Sequence, residues 1–387
     1  MGKAALLSPA FVLAFVGNLL HSLAFFAFLH LPGFLTQIGA DELMIGVIVG
    51  LMSASAIAAR PGIGWLMDRR GRHVVVRIAS VVHVAVCLSY LLVDEVGPLL
   101  IVIRLVHGVA EGALFSALFT IAADVTPPAR RTEGIALFGI SGLLPIALAG
   151  LLGDAILQRA DYATLFLCAA LMALLGGVCS WLLADSRPAD DGLHEPARSF
   201  LAIAALPQLR PPLVLAFGFA VAISSYFTFL KTYVEHTGIG SLGLFYSAFS
   251  VAAILLRFGL GWVPDRLGPA RTLVPAMLVS VGGLLALAWA RDDNGVIAAG
   301  LLCGTGHAFV FPIVMSLAVA RTASRERGAA LALFTAMFDL GILIGSPLLG
   351  ALLERTDYPT MFAVASGVAA LVGLAFAVWD RRVAPLE

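Results

Sequence analysis

The sequence predicts an all-α membrane protein: twelve transmembrane helices in two pseudo-symmetric six-helix halves. An extreme apolar composition, a regular series of membrane-length runs and an internal repeat carry that prediction. Hydrophobic residues make up 60% of the chain and charged residues 12%, where soluble domains are about a quarter charged. Such a chain has too little polar surface to cover itself in water. Apolar runs fall at 10–30, 43–67, 74–93, 98–123, 133–157, 163–184, 211–235, 241–264, 271–290, 295–320, 328–354 and 359–379. Each has about 20 residues or more, enough to cross a hydrocarbon core of about 30 Å. They lack the alternation of barrel strands, so they must close their backbone hydrogen bonds internally, as helices.

The repeat is most legible after the second run. Residues 60–71 read RPGIGWLMDRRG and residues 257–268 read RFGLGWVPDRLG. At one offset of 197, Arg60 matches Arg257, Gly62 Gly259, Gly64 Gly261, Trp65 Trp262, Asp68 Asp265, Arg69 Arg266 and Gly71 Gly268. At offset 196, Gly108 pairs with Gly304, Ala136 with Ala332 and Phe138 with Phe334. In a membrane chain a repeat of this length points to a transporter whose site is built by both copies. The expected organisation is an N-terminal half over 1–184, a polar linker over 185–210 and a C-terminal half over 211–387.

Net charge is zero, so it gives no reason to expect a nucleic-acid partner. Its distribution is informative. An even number of spans puts both termini on one side, and seventeen of the 24 Lys and Arg residues fall on that side. The opposite loops hold Arg159, Lys231, Arg291 and Arg355, while Arg60, Arg104 and Arg257 lie within spans. The positive-inside rule then places the termini in the cytoplasm, as expected for a multi-pass protein of the inner membrane. The opposite loops are short and acidic, as at Asp41-Glu42, Asp94-Glu95 and Asp292-Asp293. Cys87, Cys168, Cys179 and Cys303 all sit in apolar runs without a C-x-x-C pair, and read as packing residues. No small-residue cleavage site follows the first run, which is kept as a mature helix.

In the loop after the second span, Gly64 and Gly71 would allow a close helix approach and a tight turn. Asp68 sits near the membrane surface, where an arginine or helix N-terminus can face it. Asp124 closes the fourth span on the same side and is a natural partner for Arg69 or Arg72. With Leu66 and Arg72, these residues make the pattern G-x-L-x-D-R-x-G-R, and the fourth span carries R-x-x-x-G as Arg104 to Gly108. On these motifs the whole chain resembles the major facilitator superfamily. The stretches 304–312 and 328–350 resemble its twelve-span drug:proton antiporter and sugar efflux members. His73 stands where a basic residue is usual and His107 where Gln is often found. The antiporter branch's glycine-proline signature is followed loosely in span 5 (Gly139, Gly142, Pro145, Gly150), with a closer match in span 11 (Gly341, Gly345, Pro347, Gly350). The resemblance implies the major facilitator fold, a central cavity lined by spans 1, 4, 7 and 10, and a gating latch at Gly64, Asp68, Arg69, Gly71, Arg72 and Asp124, echoed at Asp265 and Arg266. Pro269 and Ala320 replace Arg72 and Asp124 in the second copy, so the latch is expected to be stronger in the first half.

Charges at mid-membrane cost about 2.5–3.5 kcal/mol each on insertion scales, and few positions carry one. Arg104, His107 and Glu111 share one face of span 4. His307 is the repeat mate of Glu111 at the 196-residue offset, and Asn18 and His21 share a face of span 1. Glu111 is the expected proton-coupling acid, with Arg104 tuning it and Asp339 as a second intramembrane acid. The expected solute contacts are Asn18, His21, His107, Tyr226, Phe229, His307 and Phe311. Alternatives stand beside these. Glu111 pairs structurally with Arg104, His21 and His307 are satisfied between helices, Asp339 is an interfacial contact, and Arg60 and Arg257 snorkel. His21, His107, His307 and Glu111 lack a tight metal-ligand spacing, so no metal or other cofactor is expected. The reading is a proton-driven exporter of a small organic solute that works by alternating access, with solute, protons and lipid as its partners. A monomer suffices, because one chain holds both halves. A symporter importing a sugar or organic acid is the alternative within the fold. A non-transporting sensor or membrane enzyme has little behind it, because no catalytic triad, phosphate loop or soluble output domain stands out.

Overall fold

The computed structural model describes residues 7–127, 130–184, 200–323 and 326–383. Lys3, Arg187, Arg198 and Arg325, counted above among the terminal-side cations, lie outside the described residues, as does 185–199 of the expected linker. Among the described residues, twelve helices are long and apolar enough to span a membrane. In the first half they are α1 (Pro9–Gln37), α2 (Glu42–Arg70), α3 (Arg72–Leu92), α4 (Pro98–Val125), α5 (Glu133–Leu157) and α6 (Tyr162–Trp181). In the second they are α7 (Pro207–Thr237), α8 (Leu242–Leu260), α9 (Pro269–Ala288), α10 (Asp293–Ala320), α11 (Arg327–Leu353) and α12 (Tyr358–Arg382). The largest departure from the apolar runs is at α1. A 3₁₀ turn at Phe28–His30 leads into a further helical segment, Leu31–Gln37. Pro32 lies in the first turn of that segment, where its missing N–H costs nothing.

The acidic loops acquire a local cause. Asp41, Asp161, Asp292 and Asp357 each precede a helix and accept a backbone N–H three residues on, from Met44, Thr164, Gly295 and Thr360, each at 2.8 Å. They are N-caps, which satisfy an orphan donor and place negative charge at the positive end of the helix. The Thr164 backbone and hydroxyl hold Asp161 below the usual carboxylate range, and Thr360 does the same for Asp357. These two caps sit at the 196-residue repeat offset, inside the matching segments Asp161-Tyr162 and Asp357-Tyr358.

The chain divides into two compact units, Met1–Ala40 with Leu51–Asp191 and Asp41–Gly50 with Gly192–Glu387. In the first unit α1 packs on α4, α5 and α6, and α3 packs on α4 and α6. The second repeats the scheme, with α7 on α10, α11 and α12 and α9 on α10 and α12. The second unit also takes in the first residues of α2. There Gly46 and Gly50 let the chain approach the α11 backbone at Ser346, Pro347 and Leu343. Glu42 accepts from the Tyr358 hydroxyl at 2.8 Å and the Thr232 hydroxyl at 3.4 Å, and Glu354 accepts the Leu43 N–H at 3.3 Å.

Glycines mark the tightest crossings. A Cβ on Gly108 of α4 would strike the Met52 carbonyl and Ser55 hydroxyl of α2, and one on its repeat mate Gly304 would strike the Phe249 carbonyl of α8. Gly64 behaves differently. A Cβ there would meet nothing within 4 Å, which corrects the expectation of a close helix approach at that position. Overpacking of this kind costs about 1–3 kcal/mol. Gly304→Val should therefore lower the apparent melting temperature of the purified protein in detergent, while Gly64→Ala, in open space inside a helix, should not lower it. Equal melting temperatures for Gly304→Val and the parent would refute the crossing.

Candidate functional site

The first unit gathers ionisable side chains inside otherwise apolar helices. Glu111 lies midway along α4, with Arg104 and His107 on the same face. Arg104 and His107 are buried, and the Glu111 side chain is 15% exposed. Sequence reading missed two partners on α3. His83 Nε2 lies 3.3 Å from Glu111 Oε1. Tyr90 accepts from Arg104 Nη1 at 3.3 Å, and its hydroxyl lies 3.3 Å from His107 Nδ1. A signal for them exists: Ser80, His83, Cys87 and Tyr90 recur at helical spacing on one face of an apolar span, and all four are buried.

His21 stands behind His83. Their Nδ1 atoms are 3.3 Å apart, and His21 Nε2 lies 3.0 Å from Ser80 Oγ and 3.4 Å from Ser180 Oγ. A Cβ on Gly176 of α6 would come within 3.0 Å of the His21 ring, so the absence of a side chain there makes the slot for the imidazole. Asn18 donates to Ser141 Oγ on α5 at 2.8 Å, and Ser141 donates to the Phe138 carbonyl. His21 and Asn18 thus bind α1 to α3, α5 and α6.

The second unit surrounds the repeat mate of Glu111 with rings. His307 has Phe219, Phe249 and Phe311 at centroid distances of 6.1, 5.3 and 5.5 Å. Phe311 continues to Phe334 and Phe338 on α11. Tyr226 is buried against Phe245 and Phe249, its carbonyl accepting the Tyr246 hydroxyl at 3.0 Å, and Phe229 is wholly buried. Asp339 is half-buried in α11.

Ligand atoms of His83, His107 and Glu111 lie within 4.8 Å of one another, and they are donor types that a zinc-class ion takes. This corrects the expectation that no tight ligand set exists, since the missing member was His83. The Arg104 guanidinium is one hydroxyl away from His107 through Tyr90. A divalent ion would add two charges beside it and a proton one, so the proton meets the smaller Coulombic opposition.

At the loop after α2, Gly71 takes φ +97° and its mate Gly268 takes φ +88°, a left-handed region that favours glycine. Arg69 and Arg266 stack over Trp65 and Trp262 at 5.3 and 4.7 Å, so the repeat is preserved in geometry. Arg72 Nε and Asp124 Oδ2 pair at 3.1 Å, with side chains only 15% and 16% exposed. Asp68 and Asp265 are exposed, and of the two partners expected for Asp124, Arg72 is the one seen paired with it. The second unit has a different device, which the sequence reading missed. Arg321, next to Ala320, grips Asp380 of α12 through two hydrogen bonds of 2.5 and 2.8 Å, and donates to the Gln208 carbonyl at 3.1 Å.

The profile of the Major Facilitator Superfamily matches residues 10–320 and 243–387. A staphylopine export protein of Staphylococcus aureus is 23% identical over 341 residues, covering 85% of each chain. The multidrug resistance protein MdtG of Salmonella heidelberg is 27% identical over 362 residues, covering 87% of each. Among solved structures, the human organic anion transporter MFSD10 superposes with a TM-score of 0.73 at 18% identity, covering 95% of this chain and 99% of that one. A peptide transporter, POT, reaches 0.78 at 16% identity, covering 96% and 94%. The chain belongs to the Major Facilitator Superfamily: it is a multi-pass membrane transporter and not an enzyme.

Proposed function

We propose that the chain exports a small organic solute in exchange for protons, alternating access between the two sides of the inner membrane. The observation that carries this reading is an acid, Glu111, midway along a membrane-spanning helix and in contact with a buried histidine. Export is favoured by the relatives named for staphylopine export and multidrug resistance. Both termini lie in the cytoplasm, on the charge asymmetry of the loops. The halves 1–184 and 211–387 move as bodies joined by the 185–210 linker, and a monomer is the working unit.

Glu111 takes up the coupling proton, Arg104 stabilises the carboxylate when the proton leaves, and Asp339 is a second acid available to the cycle. His107, His307 and Phe311 contact the solute. Asn18, His21, Tyr226 and Phe229, held inside their own units, position the helices that carry those contacts. Gly64, Asp68, Arg69, Gly71, Arg72, Asp124, Asp265 and Arg266 form the gate, with the Arg72–Asp124 pair as its charge lock.

Glu111→Gln should fold and bind solute but lose accumulation driven by a pH gradient in proteoliposomes. Uphill pumping at the parental rate would remove Glu111 from the coupling role. A lock contributing about 1.4 kcal/mol changes the ratio of two states tenfold. Asp124→Asn should therefore shift the population toward inward-open, read as cysteine accessibility from each side of the membrane, and Asp265→Asn should shift it less. Equal shifts would show that the asymmetry between the copies has no mechanical role.

A further inference from the structure

We propose that His83, His107 and Glu111 form a three-ligand site for a zinc-class divalent ion, with a fourth coordination position left open. Ligand atoms of the three residues lie within 4.8 Å of one another. A second observation points the same way. His83 Nε2, His107 Nε2 and Glu111 Oε1 are each buried without a hydrogen-bond partner. Buried polar atoms are nearly always satisfied, yet three orphans fall together here. Each is an atom that can offer a lone pair to a cation. His83 Nε2 and Glu111 Oε1 are 3.3 Å apart and make no hydrogen bond with each other. Zinc bonds of about 2.0–2.2 Å in a tetrahedron set neighbouring ligands about 3.3–3.5 Å apart, so that separation suits two ligands of one ion.

The helices build the site without strain on its members. His107 and Glu111 are one turn apart on α4 and share a face. His83 comes from α3, its ring centroid 5.4 Å from that of His107. The second ring nitrogen of each histidine is already held. His83 Nδ1 lies 3.3 Å from His21 Nδ1, and His107 Nδ1 lies 3.3 Å from the Tyr90 hydroxyl. Outer partners of this kind orient metal-ligating imidazoles. Two imidazoles and one carboxylate are a known donor set for zinc with an open position. Both histidines are wholly buried, while the Glu111 side chain is 15% exposed, so an ion enters past the carboxylate. When the ion binds, the Glu111 O–H bond breaks, its electron pair goes to the metal and its proton goes to water. Arg104 donates to Tyr90 at 3.3 Å and opposes a dication more than a proton, which makes the ion a competitor from solution. Its effect on transport rests on the reading of Glu111 as the coupling acid; its binding does not.

The test titrates chelator-stripped, tag-free, full-length protein in nanodiscs with Zn²⁺ by calorimetry and with Co²⁺ by absorption. The parent should bind one ion, and bound cobalt should give the d–d bands of a low-coordinate nitrogen and oxygen site. His83→Gln, His107→Gln and Glu111→Gln should each weaken binding by at least about tenfold, the lower end of what losing even an outer partner costs. His236→Gln, at an exposed histidine, should bind as the parent does. Parental affinity in all three ligand variants would mean adventitious binding only and overturns the proposal. The parent decides the matter even if a variant fails to fold. Its apparent melting temperature should rise with zinc in a saturable way, as it must for a ligand of the folded state, and no rise overturns the proposal. In proteoliposomes, zinc that fills the site should block proton-driven accumulation, and a chelator should restore it. Full transport with the site filled defeats the coupling reading of Glu111 and leaves the site standing. Lost accumulation in Glu111→Gln, with no zinc bound by the parent, defeats the site alone.

Discussion

The cost of an ionised group in an apolar interior governs the arrangement of this chain. At about 2.5–3.5 kcal/mol for each central charge, a span can carry one only where neighbours compensate it. Glu111 and Arg104 sit on one helix, and around them stand His21, His83, His107 and Tyr90, every one buried. Most other charges lie at helix ends. Four aspartates cap helices there, and the Arg72–Asp124 and Arg321–Asp380 pairs close the far ends of α4 and α10. The polar set in the first unit is thus one network, since each member answers a requirement set by another.

The two copies show which requirements are backbone and which are chemistry. Preserved across the repeat are the left-handed glycines 71 and 268, the stacked Trp65–Arg69 and Trp262–Arg266 pairs, the crossings at Gly108 and Gly304, and the caps Asp161 and Asp357. Each fixes where a helix starts, turns or touches its neighbour. What differs is ionisable. Glu111 corresponds to His307 in the repeat, Arg72 to Pro269, and Asp124 to Ala320. One unit holds a titratable cluster and the other a box of rings, on the same scaffold.

Much of this was legible in the sequence because membrane spans obey a one-dimensional rule, and length with apolarity sets most ends to within a few residues. The loop motif was legible because its glycines, tryptophans and arginines act within one turn. His83 was not, since its importance comes from Glu111, 28 positions away, and a lone histidine in an apolar span looks like any satisfied polar group. Arg321 and Asp380 were missed for the same reason: they meet only when α10 and α12 pack. Gly64 shows the opposite error, a small residue with no neighbour to make room for.

Under the antiport reading, the same desolvation cost is also the source of coupling. A cost of about 2.5–3.5 kcal/mol for a buried charge, at about 1.4 kcal/mol per tenfold, weights two states by roughly a hundredfold when only one of them offers the carboxylate solvent or a counter-charge. Protonation removes that bias by neutralising the acid, and it does so without any new contact to the gate. A scaffold that keeps its backbone features symmetric and places its Glu–His cluster in one unit can therefore let one proton decide between states.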